Sequence, residues 1–162
     1  MNTAARRLVA ALGLRPLPHE GGFFRRLWVA PPARRGGRPA ASAIYFLLTR
    51  RDFSALHRID AHEIWHFHAG DAVEHVQLGR PGRAPRIVRI GNAFARGEVP
   101  QVRVPAGVWQ GARLVPGGRH GWALVGCTCT PAWTAAGAEF AGRAEFVAQF
   151  PRSAALIRAL TR

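Results

Sequence analysis

The chain contains no lysine, because all 23 of its basic residues are arginines. With only nine acidic residues, the formal net charge is +14, which invites comparison with proteins that bind nucleic-acid phosphates. The arginines are scattered along the sequence and do not follow one helix face. Arginine without lysine, beside abundant Ala, Gly and Pro, is typical of a GC-rich genome. We therefore expect no nucleic-acid partner.

Long apolar runs are also missing, and none is long enough to cross a bilayer. The short apolar stretch 8–14 follows two arginines but lacks the small-residue cleavage site of a signal peptide. We expect no membrane contact and a cytoplasmic location. The chain has two cysteines, Cys127 and Cys129, which would share one strand face. A disulfide between them would be strained, so we expect two buried thiols.

The length of 162 residues allows one domain with a substantial core. From residue 21 onward, short apolar and β-branched segments alternate with Gly, Pro and Arg breaks. These segments predict nine strands, at 23–29, 42–48, 54–59, 63–68, 72–78, 87–90, 101–104, 111–115 and 122–128. Strands at this spacing indicate an all-β sandwich or barrel. We expect a lead-in (1–20) with a helix at 3–12, a barrel (21–134) and a helical tail (135–162) interrupted near Pro151.

Residues 56–71 contain four histidines and a glutamate, a concentration typical of metal or acid–base sites. Side chains alternate between the two faces of a strand, so Glu63, Trp65 and Phe67 share one face of strand 63–68. Its two histidines then lie on the opposite face. Because His57 comes from the preceding strand, it is the histidine that we expect to face Glu63.

A neutral histidine beside a carboxylate can act as a base or proton shuttle. The alternative for His57 and Glu63 is a buried polar pair that is merely hydrogen-bonded. Gln110 would either orient a substrate or bond to this pair, and Trp65 and Phe67 would line an apolar pocket around it. Three arginines could hold a phosphate or carboxylate, namely Arg25, Arg26 and Arg58.

Two motifs resemble the paired motifs of cupins, His57-x-Ile59-x3-Glu63-x6-Gly70 and Pro105-Ala106-Gly107-x2-Gln110. Further blocks resemble, in the same order, those of the cupin family once called DUF985. They extend from Glu20-Gly21-Gly22 to Ala123-Leu124-Val125-Gly126-Cys127-Thr128. The resemblance covers nearly the whole chain. It implies a double-stranded β-helix, the cupin jelly-roll barrel, with a short N-terminal helix and a helical C-terminal tail. It also implies an architecture similar to sugar-nucleotide epimerases and germin-like proteins, and a homodimer.

In cupins the two motifs supply three histidines and a glutamate to one divalent metal. Here Ile59 and Gln110 stand at two of those positions. The resemblance therefore implies a reduced ligand set of His57, Glu63 and Gln110 for Fe, Mn, Ni or Zn, serving a metal-dependent oxygenase or isomerase. No cofactor is certain from the sequence.

The favoured alternative is an isomerase or epimerase that acts on a sugar-like or carbonyl metabolite. The epimerase resemblance implies His57 as base, Glu63 as its orienter or second acid–base group, and Tyr45 as acid. The residues expected to contact the small-molecule ligand are Gln110, Trp65, Phe67, Trp109 and Arg58. A third interpretation is a non-catalytic protein that binds a small molecule.

Overall fold

The computed structural model describes residues 1–32 and 34–162. Short strands make up most of this part of the chain, with helices at its two ends. The helices are α1 (Thr3–Ala11), α2 (Arg143–Gln149) and α3 (Ala154–Ala159), with 3-10 turns at Phe94–Arg96, Ala135–Gly137 and Pro151–Ser153. The strands are β1 (Arg15–Pro16), β2 (Phe23–Val29), β3 (Ser42–Thr49), β4 (Ser54–Ile59), β5 (His62–Gly70), β6 (Val73–Leu78), β7 (Arg86–Ile90), β8 (Gln101–Val104), β9 (Trp109–Leu114), β10 (Trp122–Thr130) and β11 (Ala138–Phe140).

The strands form two antiparallel sheets with the orders β1-β2-β3-β10-β5-β8 and β11-β4-β9-β6-β7. The prediction of an all-β protein with helices at both ends is confirmed, and each of the nine predicted strands is present. Strand β9 begins at Trp109, two residues before the predicted start at 111. This earlier start places Gln110 in the ladder directly opposite His57 on β4. The two remaining strands, β1 and β11, are too short to show a readable alternation.

The main core lies between the two sheets, and alternation along β3 shows how it is built. Ile44, Phe46 and Leu48 face the interior, where they pack with residues of both sheets. Tyr45 and Leu47 face outward and are covered by the α1 region.

Helices cover the outer faces of the sheets. Helix α1 is capped by the side chain of Asn2, which accepts a hydrogen bond from the backbone of Ala5. Helices α2 and α3 bury Phe146 and Ile157 against the outer face of the β4–β9–β6 sheet. None of the helices in the described residues is long and apolar enough to cross a membrane.

Candidate functional site

A cavity of about 40 Å³ lies between the sheets and brings several titratable side chains together. Its walls are mainly apolar, and they come from Leu17, Phe24, Ile44, Phe46 and Trp133. Its polar lining consists of Glu20, Arg26, Ser42, His57, Glu63, Cys127 and Cys129. An apolar pocket with a few converging polar groups is the usual form of a small-molecule site.

His57 is held in the cavity wall by strand β4 and is only 3% exposed. Its Nδ1 lies 2.7 Å from the carbonyl oxygen of Ala55. Because a carbonyl oxygen can only accept, Nδ1 must carry the hydrogen. In the neutral ring, Nε2 therefore has a free lone pair. It lies 4.0 Å from Oε2 of Glu20, so the base position of the imidazole faces a carboxyl group.

Glu20 reaches the cavity from a tight turn between β1 and β2. Gly21 and Gly22 follow it with φ values of 99° and 70°, which favour glycine. A Cβ atom at Gly21 would lie 2.5 Å from the carbonyl oxygen of Phe53, so a side chain there would force the turn away from the sheet. The paired glycines thus permit a close crossing of the two chain segments, and Glu20 beside them lines the cavity.

The Glu20 carboxyl group has its pKa shifted by its surroundings. Burial raises its pKa above the ordinary value of 4.5, although the nearby His57 and a hydrogen bond from Ser54 oppose that effect. The Ser54 hydroxyl donates to Oε1 at 2.7 Å. The other oxygen, Oε2, is the one that faces His57. Glu20 thus turns a carboxyl oxygen without a side-chain donor toward the ring nitrogen of His57 that is not bonded to the backbone.

Glu63 is anchored by three donors on the interior side of the six-stranded sheet. Its Oε2 accepts from the Trp65 indole at 3.0 Å and from the Gln110 amide at 2.6 Å, and its Oε1 accepts from the Cys129 thiol at 3.5 Å. The Gln110 carbonyl in turn accepts from Nε2 of His75 at 3.0 Å. This arrangement fixes the position of Glu63 through a continuous buried chain of hydrogen bonds.

The predicted pairing of His57 with Glu63 requires correction. Strands β4 and β5 belong to different sheets, so their side chains face each other across the interior and are not ladder neighbours. Both residues line the same cavity, but the carboxylate in ion-pair range of His57 is that of Glu20. Alternation placed Glu63, Trp65 and Phe67 on one face as predicted, but it could not reveal a partner from a distant turn.

The predicted substrate contacts of Gln110 and Trp65 are also corrected. Both side chains are fully buried and lie behind Glu63, where they donate to its carboxylate. Neither lines the cavity. Of the two roles open to Gln110 in the sequence, the structure supports the hydrogen bond to the acidic partner.

Tyr45 is not in the cavity and cannot act there as the acid. It lies on the outer face of β3, in edge contact with His68 at a ring-centroid distance of 6.0 Å. Its odd position in a strand whose even positions face inward decides this placement. Phe67, although it points inward, packs on the core at the far end of β5 and does not line the cavity.

Trp109 and Arg58 likewise lie outside the cavity, on the outer surface of the five-stranded sheet. Trp109 packs against Phe146 of α2 with ring centroids 4.5 Å apart. Arg58 is exposed, forms an ion pair with Glu139 and lies over the Trp109 ring. Both residues therefore help to attach the C-terminal segment, and neither lines the cavity, where the sequence predicted them to contact a substrate.

The reduced metal site does not fit this geometry. In the part of the chain that the structure describes, no group of three or more His, Cys, Asp or Glu side chains is placed to hold a metal ion. The carbonyl of Gln110 accepts from His75 and its amide nitrogen donates to Glu63, so both polar atoms already bond to buried groups of the protein. Ile59 packs in an apolar cluster with Ala61 and Cys129. We derive no chemistry through a metal at these residues.

Cys127 and Cys129 share the inward face of β10, as their spacing predicts, and both are buried and free. Burial is the main cause that raises the pKa of each thiol above its ordinary value, with the charge of Glu63 adding to it. The two side chains therefore line the cavity as protonated thiols, which matches the expectation of structural cysteines.

Two residues of the cavity could not be assigned to it from the sequence pattern alone. Glu20 precedes the paired glycines, but a turn outside the strand pattern gives no face assignment. Arg26 is one of 23 arginines, and only its position two residues after Phe24 places it on the inward face of β2.

A sequence model of the family described as Cupin superfamily (DUF985) matches residues 6–141. The chain belongs to this family. This cupin is similar to a protein of known structure from Shewanella oneidensis, with 32% identity, coverage of 98% of this chain and 97% of that one, and a TM-score of 0.89. It is also similar to a hypothetical protein from Leishmania major, with 28% identity, coverage of 97% and 98%, and a TM-score of 0.87.

More distant structures show the fold alone. Oxalate decarboxylase from Bacillus subtilis shares 13% identity and a TM-score of 0.55 over 91% of this cupin and 37% of its own chain. Together with the family match, the likeness confirms the predicted jelly-roll barrel. No protein of curated function matches the chain. The cavity between the sheets is consistent with a cupin that binds a small molecule.

Proposed function

We propose that this cupin is an isomerase that moves protons between neighbouring atoms of a small carbonyl compound. The observation that carries the proposal is the distance of 4.0 Å between His57 Nε2 and Glu20 Oε2 inside an apolar cavity. His57 presents Nε2, the ring nitrogen that is not bonded to the backbone, and Glu20 presents a carboxyl group whose pKa is raised by burial. A ring nitrogen and a carboxyl group placed in this way are suited to general acid–base catalysis.

The short distance favours isomerisation over epimerisation at a single carbon. In a two-base epimerase the acid and the base approach opposite sides of one carbon. Each lies roughly 3–3.5 Å from that carbon, so the two groups are roughly 6–7 Å apart. His57 and Glu20 are too close for that. They suit two adjacent atoms on the same side of the substrate, a carbon bearing hydrogen and the oxygen of the neighbouring carbonyl.

The proposed reaction takes an α-hydroxy carbonyl compound through an enediol. His57 Nε2 removes the proton from the hydroxyl-bearing carbon, and the electron pair of that C–H bond forms the carbon–carbon double bond. The carbonyl π electrons move to oxygen, which takes the proton of Glu20. The original hydroxyl then returns a proton to Glu20, and His57 delivers its proton to the former carbonyl carbon. No atom is gained or lost, and the carbonyl has moved by one carbon.

The test follows loss of the carbon-bound proton by NMR in D2O. The substrates are two- to four-carbon α-hydroxy aldehydes and ketones, some neutral and some carrying a carboxylate. We expect the cupin to catalyse the exchange with at least one of them. His57→Asn should slow it by about 100-fold or more, because the Asn amide can keep the bond to Ala55 but offers no base in place of Nε2.

Tyr45→Phe is the matched control, because it alters a polar aromatic residue outside the cavity. It should exchange the proton at the wild-type rate. The proposal is wrong if the wild-type protein exchanges none of these compounds, or if His57→Asn keeps the full rate. A homodimer, a cytoplasmic location and the domain limits remain predictions from the sequence. Binding without exchange would favour the third interpretation, a non-catalytic binding protein.

A further inference from the structure

Among the described residues, Arg26 is the one arginine that lines the cavity, and its exposure puts it at the mouth. It follows Phe24 by two residues on β2, so both side chains point to the cavity side of the strand. Its guanidinium group lies over the Trp133 ring, 5.7 Å from the centroid. Because Arg26 is exposed while His57 is buried, a ligand would meet the guanidinium first.

The guanidinium of Arg26 has no acidic partner among the described residues. Four arginines of the described chain form ion pairs with acidic side chains, namely Arg38, Arg58, Arg113 and Arg162, and Arg26 is not among them. Arg26 forms neither an ion pair nor a side-chain hydrogen bond in the described part of the chain. Its donors therefore remain available to a ligand, and an indole surface holds the group in place.

We propose that Arg26 binds the carboxylate of a small organic acid whose other atoms extend inward toward His57 and Glu20. The identity of the substrate rests on the isomerase function proposed above, and the substrate would then be an α-hydroxy carbonyl acid. The binding of a carboxylate by Arg26 does not depend on that function and follows from the position of Arg26.

The size of the cavity limits the inner part of this ligand. The accessible space of about 40 Å³ is small, so only a small part of the ligand can enter beside His57 and Glu20. The carboxylate then stays at the mouth, in reach of Arg26.

Charge also places the anionic group at the mouth and not deeper. The carboxylate of Glu63 lines the cavity, and it would repel a ligand anion placed beside it. A single guanidinium matches the two oxygens of a planar carboxylate with two parallel hydrogen bonds. A phosphate, with more charge and a third oxygen, is usually held by several donors or cations, and the cavity lining contains one arginine.

The test measures binding of acetate, glycolate, inorganic phosphate and the neutral compound hydroxyacetone by NMR shifts of the tryptophan indole and histidine ring protons. We expect glycolate and acetate to bind and to compete with each other. Arg26→Gln should weaken glycolate binding by about tenfold or more, since it removes a charge-assisted pair of hydrogen bonds. Arg26→Lys should recover part of the affinity, because it restores the charge without the planar fork.

Arg25→Gln is the matched control, since it removes the same charge from the neighbouring position on the opposite face of β2. Arg25 approaches Gly13 beside α1 and does not line the cavity, so glycolate binding should be unchanged. The inference is overturned if both variants weaken binding equally. It is also overturned if hydroxyacetone binds as well as glycolate, or if phosphate binds and the carboxylates do not.

The two proposals fail in different ways. If Arg26→Gln lowers glycolate affinity but no compound exchanges its carbon-bound proton, the carboxylate site stands and the isomerase function falls. If exchange of the carbon-bound proton depends on His57 but compounds with a carboxylate bind no better than neutral ones, the isomerase proposal stands and the proposed role of Arg26 falls. His57→Asn should keep most of the glycolate affinity, because the carboxylate is held at the mouth.

Discussion

Gln110 connects two buried groups that have few other partners, so replacing it tests the hydrogen-bond chain behind the cavity. Its amide donates to Glu63 at 2.6 Å and accepts from His75 at 3.0 Å. Gln110→Met keeps the length and nearly the volume of the side chain but removes both bonds. After the change His75 has no partner at either ring nitrogen, because its Nδ1 already lacks one.

The cost can be worked from the two bonds. The bond to a charged carboxylate contributes about 1.5–3 kcal/mol and the bond between neutral groups about 0.5–1.5 kcal/mol. We therefore expect Gln110→Met to lower the free energy of unfolding by about 2–4.5 kcal/mol. For a protein of this size each 1 kcal/mol lowers Tm by about 2–4 °C, so a loss near 3 kcal/mol corresponds to about 10 °C.

The measurement is urea unfolding followed by tryptophan fluorescence, with five tryptophans available as reporters. The midpoint should fall while the slope m stays constant. Gln101→Met is the control, because the exposed Gln101 makes one bond, to His66, and its loss should change stability by less than about 0.5 kcal/mol. Equal losses in the two variants would refute the reasoning, since burial would then not determine the cost.

Two further predictions concern pH. Burial lowers the pKa of His75 from 6.5 to about 4, so the unfolded chain binds a proton that the native one does not, and stability should fall by about 3 kcal/mol from this residue as pH drops from 6.5 to 4. His75→Phe should flatten that slope, and an unchanged slope would contradict the assignment. Burial raises the pKa of Glu20, so native Glu20 keeps a proton that the unfolded chain has lost, and its contribution to stability should fall as pH rises above 4.5. The stability of Glu20→Gln relative to the wild type should therefore increase as pH rises. A stability difference that does not change with pH would exclude a raised pKa of Glu20.

Most of the fold was predictable because each strand carries its own local signal. Alternation and the Gly and Pro breaks located nine strands, and the same alternation separated Glu63 from the two histidines beside it on β5. What local pattern cannot supply is the partner of each strand. It therefore could not tell that β4 and β5 lie in opposite sheets, or that Tyr45 faces outward under α1.

The candidate site was less predictable because its acid comes from a turn. Glu20 lies 37 positions before His57 and has no periodic neighbours to set its direction. Its place depends on backbone crossings that only the paired glycines permit. The family resemblance pointed to the Glu-Gly-Gly segment as a feature of the fold, but it did not connect that segment with His57.

The hydrogen bonds around the two glutamates explain why the chemistry is assigned to Glu20. Three donors hold Glu63, two of them on the same oxygen, so taking up or releasing a proton there would disturb the chain that includes Gln110 and Trp65. Glu20 has one side-chain donor, Ser54, on the oxygen away from His57. Its other oxygen can exchange a proton without breaking a bond to the protein. Glu63 thus fixes the back of the cavity, and proton transfer belongs to the less constrained acid.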